Sequence, residues 1–218
     1  RVMEIKRVTA DAAALLDPAN AIWQQAAGQD FPMVPTPLKG NPAIEAISPF
    51  IAQSTDHGVI HGLSVAGLHN GKVLALRLSW ASDRHDKIAD LDQFVDGVAV
   101  MFPLTAKASA VTMGSPGEPV NAWYWKADKA DQPFDVVAEG YGTSTRRPGK
   151  DAQLSSKAIH KDGRWHVVLE RPLKVGNQYA QFEPGTPTKL AFGIWSGGNR
   201  ERAGRKSFSG DFTLVPVA

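Results

Sequence analysis

Between Leu63 and Trp80 two apolar runs are interrupted by Asn70-Gly71. That dipeptide supplies the positive φ angles a tight turn requires, so the stretch predicts a β-hairpin. On its second strand Leu74, Leu76, Leu78 and Trp80 share one face, while Val73, Arg77 and Ser79 point the other way. A strand half-buried in this manner belongs in a sandwich. Twenty Gly and fifteen Pro punctuate the 218 residues, and the apolar stretches between them are short and alternating. The chain is therefore read as mainly β. Further strands are expected at Gly97 to Phe102, Val120 to Ala127, Val136 to Tyr141, Leu154 to His160, Trp165 to Glu170, Leu190 to Trp195 and Ser207 to Val215, with a second hairpin turn at Asp162-Gly163. Helix is expected over Asp11 to Leu16 and Ile88 to Val95. Pro32, Pro35 and Pro37 predict an extended, irregular arm up to Pro49, laid over the body or a partner. A single domain over residues 1–218, with residues 1–49 as a partner-contacting arm, is the expected organisation.

Composition excludes several function classes. Cysteine is absent, which removes iron-sulfur ligation, thiolate zinc, cysteine nucleophiles and covalent c-type haem. Any metal must rest on nitrogen, oxygen or thioether sulfur. Twenty-four Lys and Arg against 22 Asp and Glu give +2 with no long block of one sign, so nucleic acid is not an expected partner. No apolar run approaches the roughly 18–20 residues of a bilayer span. The chain opens at Arg1 without a charged-then-apolar leader, as expected of a soluble, processed protein.

Few segments carry chemistry by pattern. His57, His61 and His69 offer imidazoles, but Gly58, Gly62 and Gly67 break any helix that would align them, so turn and surface roles are expected. Asp83, Asp86, Asp90, Asp92 and Asp96 read as a solvated acidic run. Ser196-Gly197-Gly198-Asn199 reads as a loop, and no Gly-x-Ser-x-Gly elbow is present. On a strand Trp123 and Trp125 face one way and Tyr124 and Lys126 the other; one of these faces is core and the other is free to line a pocket. Met101 lies on an alternating strand, where methionine is ordinarily core filler. Met113 sits in a Gly/Pro-rich loop, where a thioether has less to pack against and could meet haem iron. Arg200, Arg202, Arg205 and Lys206 form a basic loop that is either solvated or a source of guanidinium forks for carboxylates such as haem propionates.

Three segments together resemble a known family: residues 94–103 (FVDGVAVMFP), residues 111–114 (VTMG) with 119–127 (PVNAWYWKA), and residues 194–199 (IWSGGN) through Gly204-Arg205-Lys206-Ser207. His69-Asn70-Gly71, Trp80-Ala81-Ser82 and His85-Asp86-Lys87-Ile88 extend the likeness over nearly the whole chain. The sequence resembles the haem b-binding gamma subunit of ethylbenzene dehydrogenase and its relatives. These serve periplasmic molybdenum enzymes of the dimethyl sulfoxide reductase superfamily, dimethyl sulfide dehydrogenase, selenate reductase and chlorate reductase among them.

The resemblance implies a β-sandwich like family 9 carbohydrate-binding modules, holding one noncovalent haem b between a methionine and a lysine. It places these at Met113 and Lys206, with Met101 the competing methionine and Lys126 the lesser alternative for the amine. It further implies a noncatalytic, periplasmic electron-transfer subunit. Its expected partners, in a heterotrimer, are a molybdenum catalytic alpha subunit that hydroxylates a hydrocarbon and an iron-sulfur beta subunit, with an external electron acceptor beyond them. The rival expectation is a haem-free, carbohydrate-binding sandwich that stacks sugar on Trp123, Trp125 or Trp195.

Overall fold

The structure is a computed structural model that describes residues 2–82 and 94–218. The helix expected over Ile88 to Val95 falls mostly outside them, as do Asp83, Asp86, Asp90, Asp92 and the His85 to Ile88 segment; Phe94 and Val95 are not helical. The elements run β1 (Lys6–Arg7), α1 (Ala12–Leu16), β2 (Gln29–Pro32), β3 (Val34–Pro35), α2 (Pro42–Ile47), α3 (Pro49–Ala52), β4 (Gly62–His69), β5 (Val73–Ala81), β6 (Gly97–Pro103) and β7 (Val120–Lys126). Then follow β8 (Phe134–Ala138), β9 (Thr145–Pro148), β10 (Ser155–Lys161), β11 (Arg164–Pro172), β12 (Thr188–Trp195), β13 (Ser207–Phe208) and β14 (Thr213–Val215).

Two sheets pack face to face. The smaller runs β1-β4-β5-β11-β10 with β2 also on β4; the larger runs β3-β13-β12-β6-β7-β8-β9 with β14 also on β12. Leu74, Leu76, Leu78 and Trp80 of the smaller sheet meet Val98, Val100, Phe102, Trp123, Trp125 and Ile194 of the larger in one core. Trp125 lies edge-on to both Trp80 and Trp165, at 6.0 and 4.9 Å between centroids, an arrangement aromatic quadrupoles favour. The mainly β sandwich expected from alternation is what forms.

Local chemistry explains the departures. At Asn70-Gly71 only Gly71 takes a positive φ, of 86°; the Asn70 side chain caps the turn instead, accepting from the Lys72 and Val73 N–H groups. At Asp162-Gly163 both residues are left-handed, as a primed turn requires. The region up to Pro49 is not uniformly extended: Asn41 and Ser48 cap α2 and α3, each of which has proline in its first turn, a start signal within the proline-rich stretch. The remaining prolines of that stretch lie on the short strands β2 and β3 or beside them, where a missing N–H costs little. The last expected strand divides into β13 and β14 around Gly210, whose φ is 86°.

Asp96 belongs to no solvated run. It is buried, and it accepts from the Gly197 N–H at 2.9 Å, the Trp165 indole at 2.9 Å and the Ser82 hydroxyl at 3.4 Å. It ties the 196–199 loop to both sheets.

Candidate functional site

On the outer face of the larger sheet, three adjacent strands carry small residues where their inner face carries large ones. Ala191 and Gly193 on β12, Ala99 on β6 and Ala122 on β7 form a flat floor. Above it α2 and α3 contribute Ile44, Ile47 and Ile51, and Tyr141 closes one side with its hydroxyl donating to the Val111 carbonyl at 2.8 Å. The cavity, open on one side, measures about 430 Å³, the size of a small-molecule site.

Met101, Met113 and Lys206 all line this cavity, although Lys206 and Met101 are more than 100 residues apart in sequence. Met101 is not part of the core between the sheets; half-buried, it packs, as Met113 does, against a small cluster of Ala108, Val120 and Ala138 beside the cavity. It stands between Ala191 and Ala122 on the outer face, whereas the core methionines are Met3 and Met33. Met113 has a left-handed backbone, φ 57°, pinned by its N–H to the Ala110 carbonyl at 3.1 Å and by the Gly140 N–H to its own carbonyl at 2.8 Å. Few non-glycine residues take that conformation, and doing so costs about 1 kcal/mol.

Lys206 immediately precedes β13 and lies over the bare backbone of Gly193; a Cβ there would stand 3.2 Å from the lysine Cδ. Its Nζ is 5.6 Å from the centroid of Trp195. Among the described residues the amine has neither hydrogen-bond acceptor nor carboxylate partner. Part of the side chain faces the open cavity, yet the amine is so far desolvated that burial pulls its pKa down to about 8. Lys126 does not line the cavity.

Tyr124 and Trp195 form the aromatic wall, edge to face at 5.1 Å. Trp123 and Trp125 are wholly buried on the opposite face and cannot stack a sugar. The basic loop is also divided. Arg205 is buried and donates to Ser54 and Asp56 at 2.9 Å each, and Arg202 lies over Phe94; neither lines the cavity. Glu201 holds the loop in place, accepting from the N–H groups of Gly58, Val59 and Ser196 and from the Asn199 amide.

The three imidazoles stay apart: the His57 Nε2–H donates to the Thr36 carbonyl at 2.6 Å, and His69 bonds the Ala218 carbonyl. No His or carboxylate cluster among the described residues could hold a metal ion, and no described helix is long and apolar enough to cross a membrane. The sequence reading missed Arg146, Tyr141 and the α2–α3 wall. It also missed a visible signal, Ala or Gly at alternate positions on β6 (Gly97, Ala99) and β12 (Ala191, Gly193), with Ala122 beside them on β7.

Fold and site together define a β-sandwich that carries a ligand pocket on an outer sheet face. A protein of Bacteroides uniformis described as carbohydrate-binding shares the fold over 99% of this chain and 90% of its own, at TM-score 0.54 and 9% identity. A family 9 carbohydrate-binding module of Caldicellulosiruptor kristjanssonii is a looser match, at TM-score 0.47 and 8% identity over 99% of this chain and 95% of its own. The family model described as ethylbenzene dehydrogenase matches residues 20–153 and 147–207, and the chain belongs to that family. A Haloferax mediterranei protein named as a respiratory nitrate reductase heme subunit is 34% identical over 88% of this chain and 71% of its own. The chlorate reductase gamma subunit of Ideonella dechloratans is 39% identical over 62% of this chain and 56% of its own length. The dimethylsulfide dehydrogenase gamma subunit of Rhodovulum sulfidophilum is 33% identical over 62% and 52%. The matched regions span about half the length of these two gamma subunits.

Proposed function

We propose that this chain is the electron-transfer gamma subunit of a molybdenum oxidoreductase, holding one noncovalent haem b with Met113 and Lys206 as its iron ligands. The observation that carries the reading is Lys206: a desolvated amine without a partner among the described residues, in an apolar cavity that also holds two thioethers. Lysine binds iron only as the neutral amine, and burial has already brought its pKa to about 8, well below the usual 10.4 or so. Thioether and imidazole-free amine are donors that a cysteine-free chain can offer iron. Met101 is the competing thioether.

The floor of Ala99, Ala122, Ala191 and Gly193 admits a flat macrocycle, and the isoleucines of α2 and α3 exclude water from its face. When bound, haem supplies a one-electron carrier. Were Met113 and Lys206 both to hold its iron, the haem would have no site left for oxygen or substrate, which suits relay rather than catalysis. We place an iron-sulfur subunit on the donor side and an external acceptor on the other, in a periplasmic assembly whose molybdenum subunit oxidises a hydrocarbon. The cysteine-free composition requires that iron-sulfur centres lie in another chain.

The test is a pyridine haemochrome assay and a visible spectrum on protein purified anaerobically with its partners. We expect haem b in a low-spin state, and conversion to high spin in Lys206→Ala. Absence of haem, or an unchanged spectrum in the variant, overturns the assignment.

A further inference from the structure

Among the described residues, the lining of the cavity contains two cations, Lys206 and Arg146, and no carboxylate. Lys206 lies over Gly193 at the floor, whereas Arg146 stands exposed at the rim. It sits on the edge strand β9, opposite Val136 in the row Ala191, Met101, Ala122, Val136, Arg146 that crosses the outer face. Its guanidinium carbon is 5.2 Å from the centroid of Tyr124 and 4.9 Å from that of Phe134. The neighbouring Arg147 points to the other side, where Asp135 takes it up. Arg146 has no such acid. Among the described residues nothing accepts a hydrogen bond from it.

A guanidinium over aromatic faces is held in orientation while its in-plane N–H groups stay free, and those groups match a carboxylate in a two-pronged fork. The field of Arg146 reaches into the cavity. Burial raises the pKa of Tyr124, and the nearby Arg146 charge partly opposes that rise.

We propose that Arg146 binds a carboxylate at the edge of the pocket ligand, so that the cavity selects a flat, apolar molecule with a peripheral acid. This rests on the haem reading, where the acid is a propionate. Of the arginines in the 200–206 loop, Arg205 is taken up by Ser54 and Asp56 and Arg202 lies over Phe94, and neither these nor Arg200 lines the cavity. Neutralising a propionate favours ferrous iron, so Arg146 also raises the reduction potential.

Haem transfer from the full chain to excess apomyoglobin tests this, using wild type, Arg146→Gln and Arg146→Lys. Each is loaded with haem b or with its dimethyl ester, which lacks the carboxylates. We expect Arg146→Gln to release haem b about tenfold faster, as the loss of one charge-assisted pair implies, with Arg146→Lys between the two. With the ester, wild type and Arg146→Gln should release at the same rate. Equal rates with haem b, or a difference undiminished by the ester, overturn the proposal. Iron-free protoporphyrin IX, followed by fluorescence, carries the same carboxylates and needs no axial ligand. If no haem is retained, the haem reading fails separately, and a wild-type preference for the free acid over its ester that vanishes in Arg146→Gln still supports the carboxylate site. No such preference overturns it.

Discussion

Lys206 crosses the backbone of Gly193 closely enough that the missing side chain is what makes room for it: a Cβ at 193 would meet the lysine Cδ at 3.2 Å and Cε at 3.4 Å. Gly193 also floors the cavity. One glycine thus serves both the amine and the platform on which a flat ligand would lie. Gly193→Val should displace the amine and raise the floor. Since β12 accepts branched residues, stability should change by less than about 1 kcal/mol while haem content falls at least fivefold. Haemochrome quantitation beside a thermal melt checks this; normal haem content in the variant counts against the site.

The two pocket methionines should separate cleanly. Met113 projects from a pinned loop, and Met101 rises from the floor. Met113→Ala is expected to remove the near-infrared band of a methionine-ligated ferric haem and to lower the potential. Met101→Ala should leave both in place and only loosen packing. The reverse result transfers the ligand role to Met101.

Glu201 makes the cavity wall depend on one buried carboxylate. Glu201→Ala would strand the N–H groups of Gly58, Val59 and Ser196, two of which lie across the wall from the loop. The Gly58 bond is buried, whereas those of Val59 and Ser196 are only partly so; with about 1 kcal/mol or more for a buried unsatisfied group and less for the others, we expect a loss of roughly 1–2 kcal/mol in chemical denaturation, together with faster haem release. A variant as stable as wild type contradicts this account.

A pH dependence follows from Glu170, which lies far from the cavity. Burial first, and then the charge of Asp11, raises its pKa from 4.5 to about 7. The folded state therefore holds a proton that the unfolded state gives up. That contribution to stability is fully present below about pH 4.5 and is lost as pH rises through about 7. Glu170→Gln should be more stable than wild type at pH 8 by about 2 kcal/mol, the difference shrinking to near zero at pH 4.5. Parallel denaturation curves at the two pH values check this, and a pH-independent difference refutes it.

Much of the sandwich was legible because alternation is a local signal. Leu74 to Trp80, the two hairpins and the opposition of Trp123 and Trp125 to Tyr124 are written in neighbouring residues, and a strand has only two faces on which to put them. The start of α2 was also written, in Asn41-Pro42, though the surrounding prolines suggested extension. Asp96 was not legible. A single aspartate reads the same whether solvated or stapling two sheets, because its partners Gly197 and Trp165 come from a distant loop and a distant strand.

By itself, then, the sequence determined the fold class and the absence of thiolate chemistry, while its resemblance to a family supplied the short set of candidate iron ligands. Residue type limits ligand chemistry, and period-two patterning limits which strand faces are apolar. Only the tertiary structure decided that Met101 and Met113 stand with Lys206 in one cavity, that α2 and α3 wall it, and that Arg146, with no acid partner among the described residues, stands at its rim while Arg205 is spent on Asp56. Those facts depend on strand order and on which face of the larger sheet is left uncovered by the smaller. Such contacts are non-local, set by how the two sheets bury their large side chains against each other.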